Sequence, residues 1–336
     1  MPANLITKLI SIVVPVYNEE ETIETFYETV KSELNQFSDR YNFEFIFTDN
    51  CSTDSTFSIL RTLAEKDMRI KAVRFSRNFG YQKSIFTGYC LASGDASIQM
   101  DCDLQDPPSL IQELILKWEE GHEVVYGIRI TRAEFWFLKV MRQFFYRIIN
   151  FLSEDHLPPD AGDFRLVDRK VISQLTQLYD ANPYLRGTIA AMGFRQIGIP
   201  YHRPQRMKGQ TKFSFHHYLS LAFDGILNHS VVPLRLATFV GLVTSLSLIL
   251  YFLGLTASNL IFYQAWPRGF ATTSSLILIA ISLNSIFLGV IGEYLGRIYQ
   301  QVKRLPMTTI DQMVNLNPSG HQKSAEVPPK RQAGEF

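Results

Sequence analysis

A chain of 336 residues has room for more than one domain, and 33 Lys and Arg against 32 Asp and Glu leave a net charge of +1. That balance offers no basic excess to hold a nucleic acid, so no nucleic-acid partner is expected. Cys51, Cys90 and Cys102 are odd in number and lack metal-ligand spacing, which argues against a disulfide framework or a zinc site and for reduced thiols.

Residues 9–17 (LISIVVPVY) form a near-continuous apolar, β-branched run, the pattern of a buried parallel strand. Glu19 to Phe37 carries helical spacing through Ile23, Phe26, Val30, Leu34 and Phe37. A strand at 43–47, a helix from about Asp54 to Lys66, a strand at 70–75, a helix across 80–92 and a strand at 96–100 follow. Four strand-and-helix alternations with short loops predict an α/β domain with a parallel sheet, whose ligands sit beyond the carboxyl ends of the strands. The polar residues at those ends are Asn18 and Glu19, Asp49 and Asn50, Ser76 to Gly80, and Asp101 and Asp103. Asp54 reads as a helix cap. In an extended chain Asp101 and Asp103 would share one face, close enough to bind one hard divalent cation, with Gln105 adding a neutral oxygen. A plainer reading of the same stretch is a strand-to-helix turn, with Asp106 as N-cap and Pro107 at the first helical position.

Beyond Pro107 a helix presents Leu110, Ile111, Leu114, Ile115 and Trp118 on one face and ends at Gly121, and 123–128 reads as another strand. Residues 133–152 are aromatic but too charged to span a bilayer, which predicts an interfacial helix or one packed in a core. Asp160 to Leu166 (DAGDFRL) reads as a polar turn ahead of a helix near 168–178. Tyr201 to His217 is basic, with His202, Arg203, Arg206, Lys208 and Lys212, and Gly209 marks a flexible tip. An amphipathic helix at 213–230 leads into the apolar region.

Residues 236–267 and 269–292 contain no Asp, Glu, Lys or Arg. Each exceeds the roughly 20 residues that cross a bilayer core as a helix, predicting spans at 231–258 and 270–295. Arg235, Arg297, Lys303 and Arg304 flank the pair on one side and only Arg268 lies in the connecting loop, so the positive-inside rule puts both termini and the large N-terminal region in the cytoplasm. Tyr263 and Trp266 suit the far interface. The expectation is an integral protein of the cytoplasmic membrane, with a cytosolic domain over 1–212, a two-helix hairpin, and a polar, disordered tail over 306–336.

The runs Val14-Pro15-Val16-Tyr17-Asn18-Glu19, Asp49-Asn50-Cys51-Ser52-Thr53-Asp54, Arg77-Asn78-Phe79-Gly80, Gly94-Asp95 with Asp101-Cys102-Asp103-Leu104-Gln105-Asp106-Pro107-Pro108, and Gly162-Asp163-Phe164-Arg165-Leu166 carry a resemblance. Together they resemble the polyprenyl-phosphate glycosyltransferases, relatives of dolichol-phosphate mannose synthase among the inverting family 2 enzymes with a GT-A fold. The nearest likeness is to the bactoprenol glucosyl transferase group with two C-terminal membrane helices, and it covers about residues 8–305. The sequence departs from the pattern at Asn50-Cys51, where the wider family more often has Asp-Gly.

The resemblance implies that Pro15, Tyr17, Asn18 and Glu19 line a nucleotide pocket, that Asp49 accepts from a uracil ring, and that Arg77 and Asn78 close that pocket. It implies that Asp101, Asp103 and Gln105 hold Mg²⁺ or Mn²⁺ on the diphosphate, with Asp101 also against the nucleotide-sugar. Arg203, Arg206 and Lys212 resemble a basic loop facing the phosphates of donor or acceptor. The implied reaction moves glucose from UDP-glucose to undecaprenyl phosphate with inversion, giving a lipid-linked phosphosugar for cell-envelope glycans. Mannose, galactose or an aminosugar of the aminoarabinose type stay open as donors. So does a non-catalytic role in sugar-lipid handling, and a homo-oligomer is compatible with the hairpin. Asp163 is the first candidate for a base or acceptor-orienting group, with Asp160 second and Arg165 beside them. Equally, Asp163 could pair with a neighbour such as Arg165 and fix the turn.

Overall fold

The structure, a computed structural model, describes residues 7–130, 161–177, 180, 183–202, 269–303 and 305–316, with scattered positions between 234 and 251. The chain divides into two compact units, one of Met1–Val140, His156–Lys212 and Leu305–Phe336, the other of Met141–Asp155 and Phe213–Arg304.

The first unit is built on eight strands: β1 (Lys8–Val16), β2 (Tyr41–Asp49), β3 (Ile70–Phe75), β4 (Ala96–Gln99), β5 (Val124–Ile130), β6 (Ala161–Asp168), β7 (Gln196–His202) and β8 (Ile310–Val314). They form one sheet in the order β7-β5-β6-β4-β1-β2-β3-β8. β1 to β4 run parallel, as the alternation of elements predicts. β6 enters antiparallel between β4 and β5, β5 pairs parallel with β7, and β8 runs antiparallel along β3. The result is a mixed sheet.

Helices cover both faces. α1 (Ile23–Asn35), α2 (Thr56–Lys66) and α4 (Ile111–Glu119) pack with Ile12, Val14, Phe45, Phe47, Phe164 and Leu166 in one apolar cluster. α3 (Tyr81–Leu91), α5 (Arg169–Leu175) and α6 (Leu185–Ala191) pack with Val13, Ile46, Val73 and Val167 in the other. Successive strand residues thus alternate between two buried faces, which is why β1 and β2 read as continuous apolar runs rather than alternating ones. Phe45 and Phe47 are 0% exposed, and burying such a ring contributes about 1.5–3 kcal/mol each.

Several expectations change. Gly162-Asp163-Phe164-Arg165-Leu166 is the interior of β6, not a turn. Phe164 and Leu166 fill one cluster, while the intervening Asp163 and Arg165 are buried polar residues that mimic turn composition. β4 stops at Gln99, so Asp101 and Asp103 lie in the turn beyond it and the alternation of an extended chain does not place them. Pro108, not Pro107, opens the short 3₁₀ turn Pro108–Leu110, and Asp106 does not cap it. Residues 310–314 of the predicted disordered tail form β8. The free edge of β3 pairs with this segment, and Asn315 beyond it donates to the carbonyls of Ala64 and Ile70, both at 2.9 Å.

In the second unit α7 (Phe270–Lys303) contains Ile279–Lys303, with a mean hydropathy of 1.5 and none of its apolar window buried, so it is long and apolar enough to cross a membrane. The described positions between 234 and 251 are helical, and most of the predicted first span lies outside the described residues. The predicted elements at 133–152 and 213–230 lie wholly outside them, as does the tail beyond residue 316.

Candidate active site

The register of β1 on β2 sets Pro15 opposite Thr48 and Val16 opposite Asp49, so both strands deliver their ends to one place. The loops beyond are laced together by hydrogen bonds. Asn18 takes the left-handed backbone (φ 56), which Asn tolerates better than most residues. Its N–H donates to Ser52 Oγ at 3.0 Å and its Oδ1 accepts from Thr53 N at 2.8 Å. Glu19 N donates to Thr56 Oγ1 at 2.8 Å, and Glu19 Oε2 accepts from Thr22 Oγ1 at 2.8 Å. Asp54 accepts from Thr56 N at 3.0 Å and from Glu20 N at 3.3 Å, a structural role at the start of α2, although the N-cap residue is Ser55 and not Asp54. Pro15 is buried within β1, and Tyr17 stands 39% exposed at its end.

Asp49 is wholly buried. Its Oδ1 accepts from Ser52 N and Ser52 Oγ, while Oδ2 has no hydrogen-bond donor and only Arg74 Nε at 3.6 Å. Burial lifts its carboxyl above the ordinary value, against the bonds from Ser52 and the charge of Arg74. Asn50 and Cys51 also acquire roles. Asn50 Oδ1 accepts from Phe79 N at 2.8 Å, tying the β3 loop to β2, and Cys51 sits at φ 63, where glycine would be the easier residue.

After β3, Arg77 is exposed and lays its guanidinium 4.1 Å over the Phe79 ring. Asn78 Oδ1 accepts from Gly80 N at 2.9 Å, and Gly80 (φ 94) takes a backbone that a side chain would strain. This turn aims Tyr81, the first residue of α3, at the end of β4. Although 38% of Tyr81 is exposed, its hydroxyl points inward and donates to Asp101 Oδ1 at 2.5 Å. Gln99 Nε2 donates to the same carboxyl oxygen and to the Tyr81 hydroxyl, each at 3.2 Å, while its Oε1 is buried without a donor.

Asp101 is the most perturbed carboxyl of the site. Burial, with Asp106, Asp163 and Asp103 nearby, pushes it up to about 7 despite the Tyr81 bond. Asp103 Oδ1 turns back to accept from Gln105 N at 3.1 Å, and Gln105 is buried. Among the described residues no three His, Cys, Asp or Glu side chains stand as a ready-made metal cage.

Asp163 lies at the side of this cluster. It pairs with Arg186 of α6, not with Arg165. Arg186 Nε donates to Oδ1 at 2.6 Å and Nη2 donates to Oδ2, a two-point grip. Burial alone would raise the Asp163 carboxyl, but Arg186, Arg165 and Arg129 together hold it below its ordinary value. Arg165 donates instead to the Gly162 carbonyl at 2.9 Å. Asp160, Arg203, Arg206 and Lys212 lie outside the described residues.

The sequence reading passed over Tyr81, Gln99 and Arg186, and gave Asp106 only a capping role. Tyr81 and Gln99 flank quoted motifs and could have been included by position alone. Arg186 carries no local signal, because its partner is 23 residues away and on another element.

A family model described as glycosyl transferase family 2 matches residues 11–176. An uncharacterized glycosyltransferase, YkcC, of Bacillus subtilis is 41% identical over 310 residues, covering 91% of this chain and 94% of its own. The bactoprenol glucosyl transferase of Shigella phage SfII is 36% identical over 310 residues, covering 92% of this chain and 99% of its own. Among solved structures, the mannosyltransferase PcManGT from Pyrobaculum calidifontis in complex with GDP-Man and Mn2+ matches 87% of this chain and 84% of its own, at 18% identity and a TM-score of 0.47.

Proposed function

Since the chain belongs to glycosyl transferase family 2 and is a glycosyltransferase, we propose that it moves glucose from UDP-glucose to a polyprenyl phosphate, undecaprenyl phosphate, with inversion, at a membrane to which α7 anchors it. In a single displacement, an acceptor phosphate oxygen attacks the anomeric carbon as the bond from that carbon to the diphosphate breaks, and UDP leaves. Two charges must be managed: the one developing on the leaving diphosphate and the one carried by the acceptor.

The donor set fits a hard divalent cation. Asp101 and Asp103 offer carboxylate oxygens and Gln105 an amide oxygen. Burial, with neighbouring carboxyls, raises the Asp101 carboxyl above its ordinary value. When bound there, Mg²⁺ or Mn²⁺ supplies Lewis-acid stabilisation of the leaving diphosphate. Asp49 Oδ2, buried and lacking a donor, suits the N–H of a uracil ring. Pro15, Tyr17 and Glu19 border that pocket, and Arg77 with Asn78 covers it. Asn18 acts by holding the two loops together.

Asp163 orients rather than takes a proton. Its two oxygens are already held by Arg186, and its depressed pKa makes it a poor base. A phosphate monoester is largely dianionic at pH 7, with a second pKa near about 6, so attack needs no base. Arg203, Arg206 and Lys212 follow β7 in the chain and bind the acceptor phosphate in this reading.

The turn beyond β4 is the observation that carries this reading, because it sets the carboxyls of Asp101 and Asp103 and the amide of Gln105 together past the carboxyl end of a parallel strand. The test is incubation of the full chain in membranes with radiolabelled UDP- and GDP-sugars, undecaprenyl phosphate and Mn²⁺ or Mg²⁺. Label from UDP-glucose in the lipid extract, lost in Asp101→Asn and Asp103→Asn, supports the reading. Transfer that survives both substitutions, or that ignores chelator, overturns it.

A further inference from the structure

Tyr201 is the penultimate residue of β7 and is buried, with its ring edge-on to Phe164 at 6.2 Å. It also lies across Gly127 of β5. A Cβ at that glycine would stand 2.6 Å from Tyr201 Cε1, so the strand keeps a hole for this ring. The parallel register sets Tyr201 opposite Arg129. Its hydroxyl donates to Asp106 Oδ1 and accepts from Arg129 Nε at 3.2 Å, and Arg129 Nη2 lies 3.8 Å from the same carboxyl oxygen.

Asp106, only 1% exposed, closes the turn that carries Asp101, Asp103 and Gln105. The backbone of that turn is not part of a strand or an α-helix. β4 has ended at Gln99, Leu104 takes a left-handed backbone (φ 54), and Pro107 and Pro108 have no N–H to give. On its inner side the turn is held by a carboxylate gripped by two side chains from β5 and β7, beyond β6 in the sheet.

We propose that Tyr201, with Arg129 and Asp106, forms a strut that fixes the Asp101–Gln105 turn, which makes Tyr201 and Arg129 positioning residues for the divalent cation and the diphosphate. The proposal rests on the reading of function above. It assigns the end of β7 a second duty, because the chain passes from Tyr201 and His202 straight into the basic stretch at Arg203.

Two measurements on the full chain in detergent test it. The first is hydrogen–deuterium exchange without ligand, comparing wild type with Tyr201→Phe, which keeps the ring over Gly127 and against Phe164. Exchange at the amides of Cys102 to Asp106 should accelerate while that of β1 and β2 stays unchanged. The second is Mn²⁺ binding in the presence of UDP, read from the EPR signal of free Mn²⁺. Affinity should fall about tenfold in Tyr201→Phe and in Asp106→Ala, which removes the acceptor, equivalent to about 1.4 kcal/mol. The double variant should be no worse than the worse single one, since both break the same bond. Arg129→Gln, which spares the Tyr201–Asp106 bond, should lose less.

Unchanged exchange in the turn overturns the strut. Faster exchange with undiminished Mn²⁺ affinity overturns its positioning role, and so do additive losses in the double variant. A wild type that binds no Mn²⁺ with UDP sinks the functional reading, and this proposal with it, while the exchange data still report separately whether the turn is held.

Discussion

Where β1 and β2 end, the side chains of Asn18, Asp49, Asn50 and Asp54 hold backbone amides of neighbouring loops. Where β4 ends and the antiparallel β6 begins, Asp101, Asp106 and Asp163 hold hydroxyl or guanidinium groups from distant elements and crowd one another. The first corner is knit by hydrogen bonds between its own loops, with one oxygen of Asp49 left without a donor. The second packs carboxyls and guanidinium groups into a poorly solvated place, where electrostatic interactions are strong, and leaves Asp101 among like charges. Shape can be completed without a ligand, whereas charge of this density asks for a counter-ion. A site that binds a base at one end and a diphosphate at the other needs this division.

The sharpest test of the contrast is Asp101→Asn. Removing the carboxyl at the charged corner should lower kcat/KM by about 10²–10³, the scale of losing one transition-state charge stabiliser. Its melting temperature should hold or rise, because a reluctant acid has been removed. A stability loss matching the activity loss would erase the distinction between the corners.

Arg186→Gln leaves Asp163 buried beside other carboxyls. Breaking a buried pair typically costs about 3–5 kcal/mol, and the 35% exposure of the Arg186 side chain lowers the expectation to about 2 kcal/mol by chemical denaturation. At the first corner Asn18→Ala removes the bonds to Thr53 and a residue suited to φ 56, for a loss of about 1–2 kcal/mol. It should raise the KM for the nucleotide-sugar and leave kcat nearly untouched; a fall in kcat of the Asp101→Asn size would show that the two ends are not separable.

The pH response is the smallest effect. The folded pKa of Asp101 is raised to about 7, so the folded state binds a proton more tightly than the unfolded state does. Its contribution to stability is therefore greatest at low pH and is lost as pH rises from the ordinary carboxylate range toward 7. Asp163 has the opposite sign: its folded pKa is lowered, so the stabilisation it gives is present above the ordinary carboxylate range and is lost as pH falls through its folded value. Melting curves of Asp101→Asn against wild type without divalent cation should converge at low pH and separate as pH approaches 7. Parallel curves would mean that Asp101 ionises freely.

The strands that could be read from sequence are those buried on both faces, since β1 and β2 are apolar at nearly every position. β6 was hidden by Asp163 and Arg165, whose turn-like polarity makes sense only once Arg186 has arrived from α6. β8 was hidden for a different reason: Asp311, Gln312 and Met313 are exposed, and an edge strand needs only backbone bonds and a few apolar contacts to hold. Site residues followed the same logic. Asp49 and Asp101 were found by the rule of strand ends, which uses chain order alone. Arg186, Tyr201 and Asp106 act through partners 23 to 95 residues away, and no local pattern announces a partner at that range.

The position of β8 in the chain has a consequence for how the protein is made. A ribosome delivers the catalytic sheet in two instalments, with the apolar α7 between them and the last strand arriving after it. Until then the outer edge of β3 is open and Ser76, at the root of the Arg77 loop, lacks the carbonyl of Thr309 that its N–H meets at 2.9 Å. A fragment cut before α7 would keep Asp49, Asp101 and Asp163 and still carry an unsealed, aggregation-prone edge.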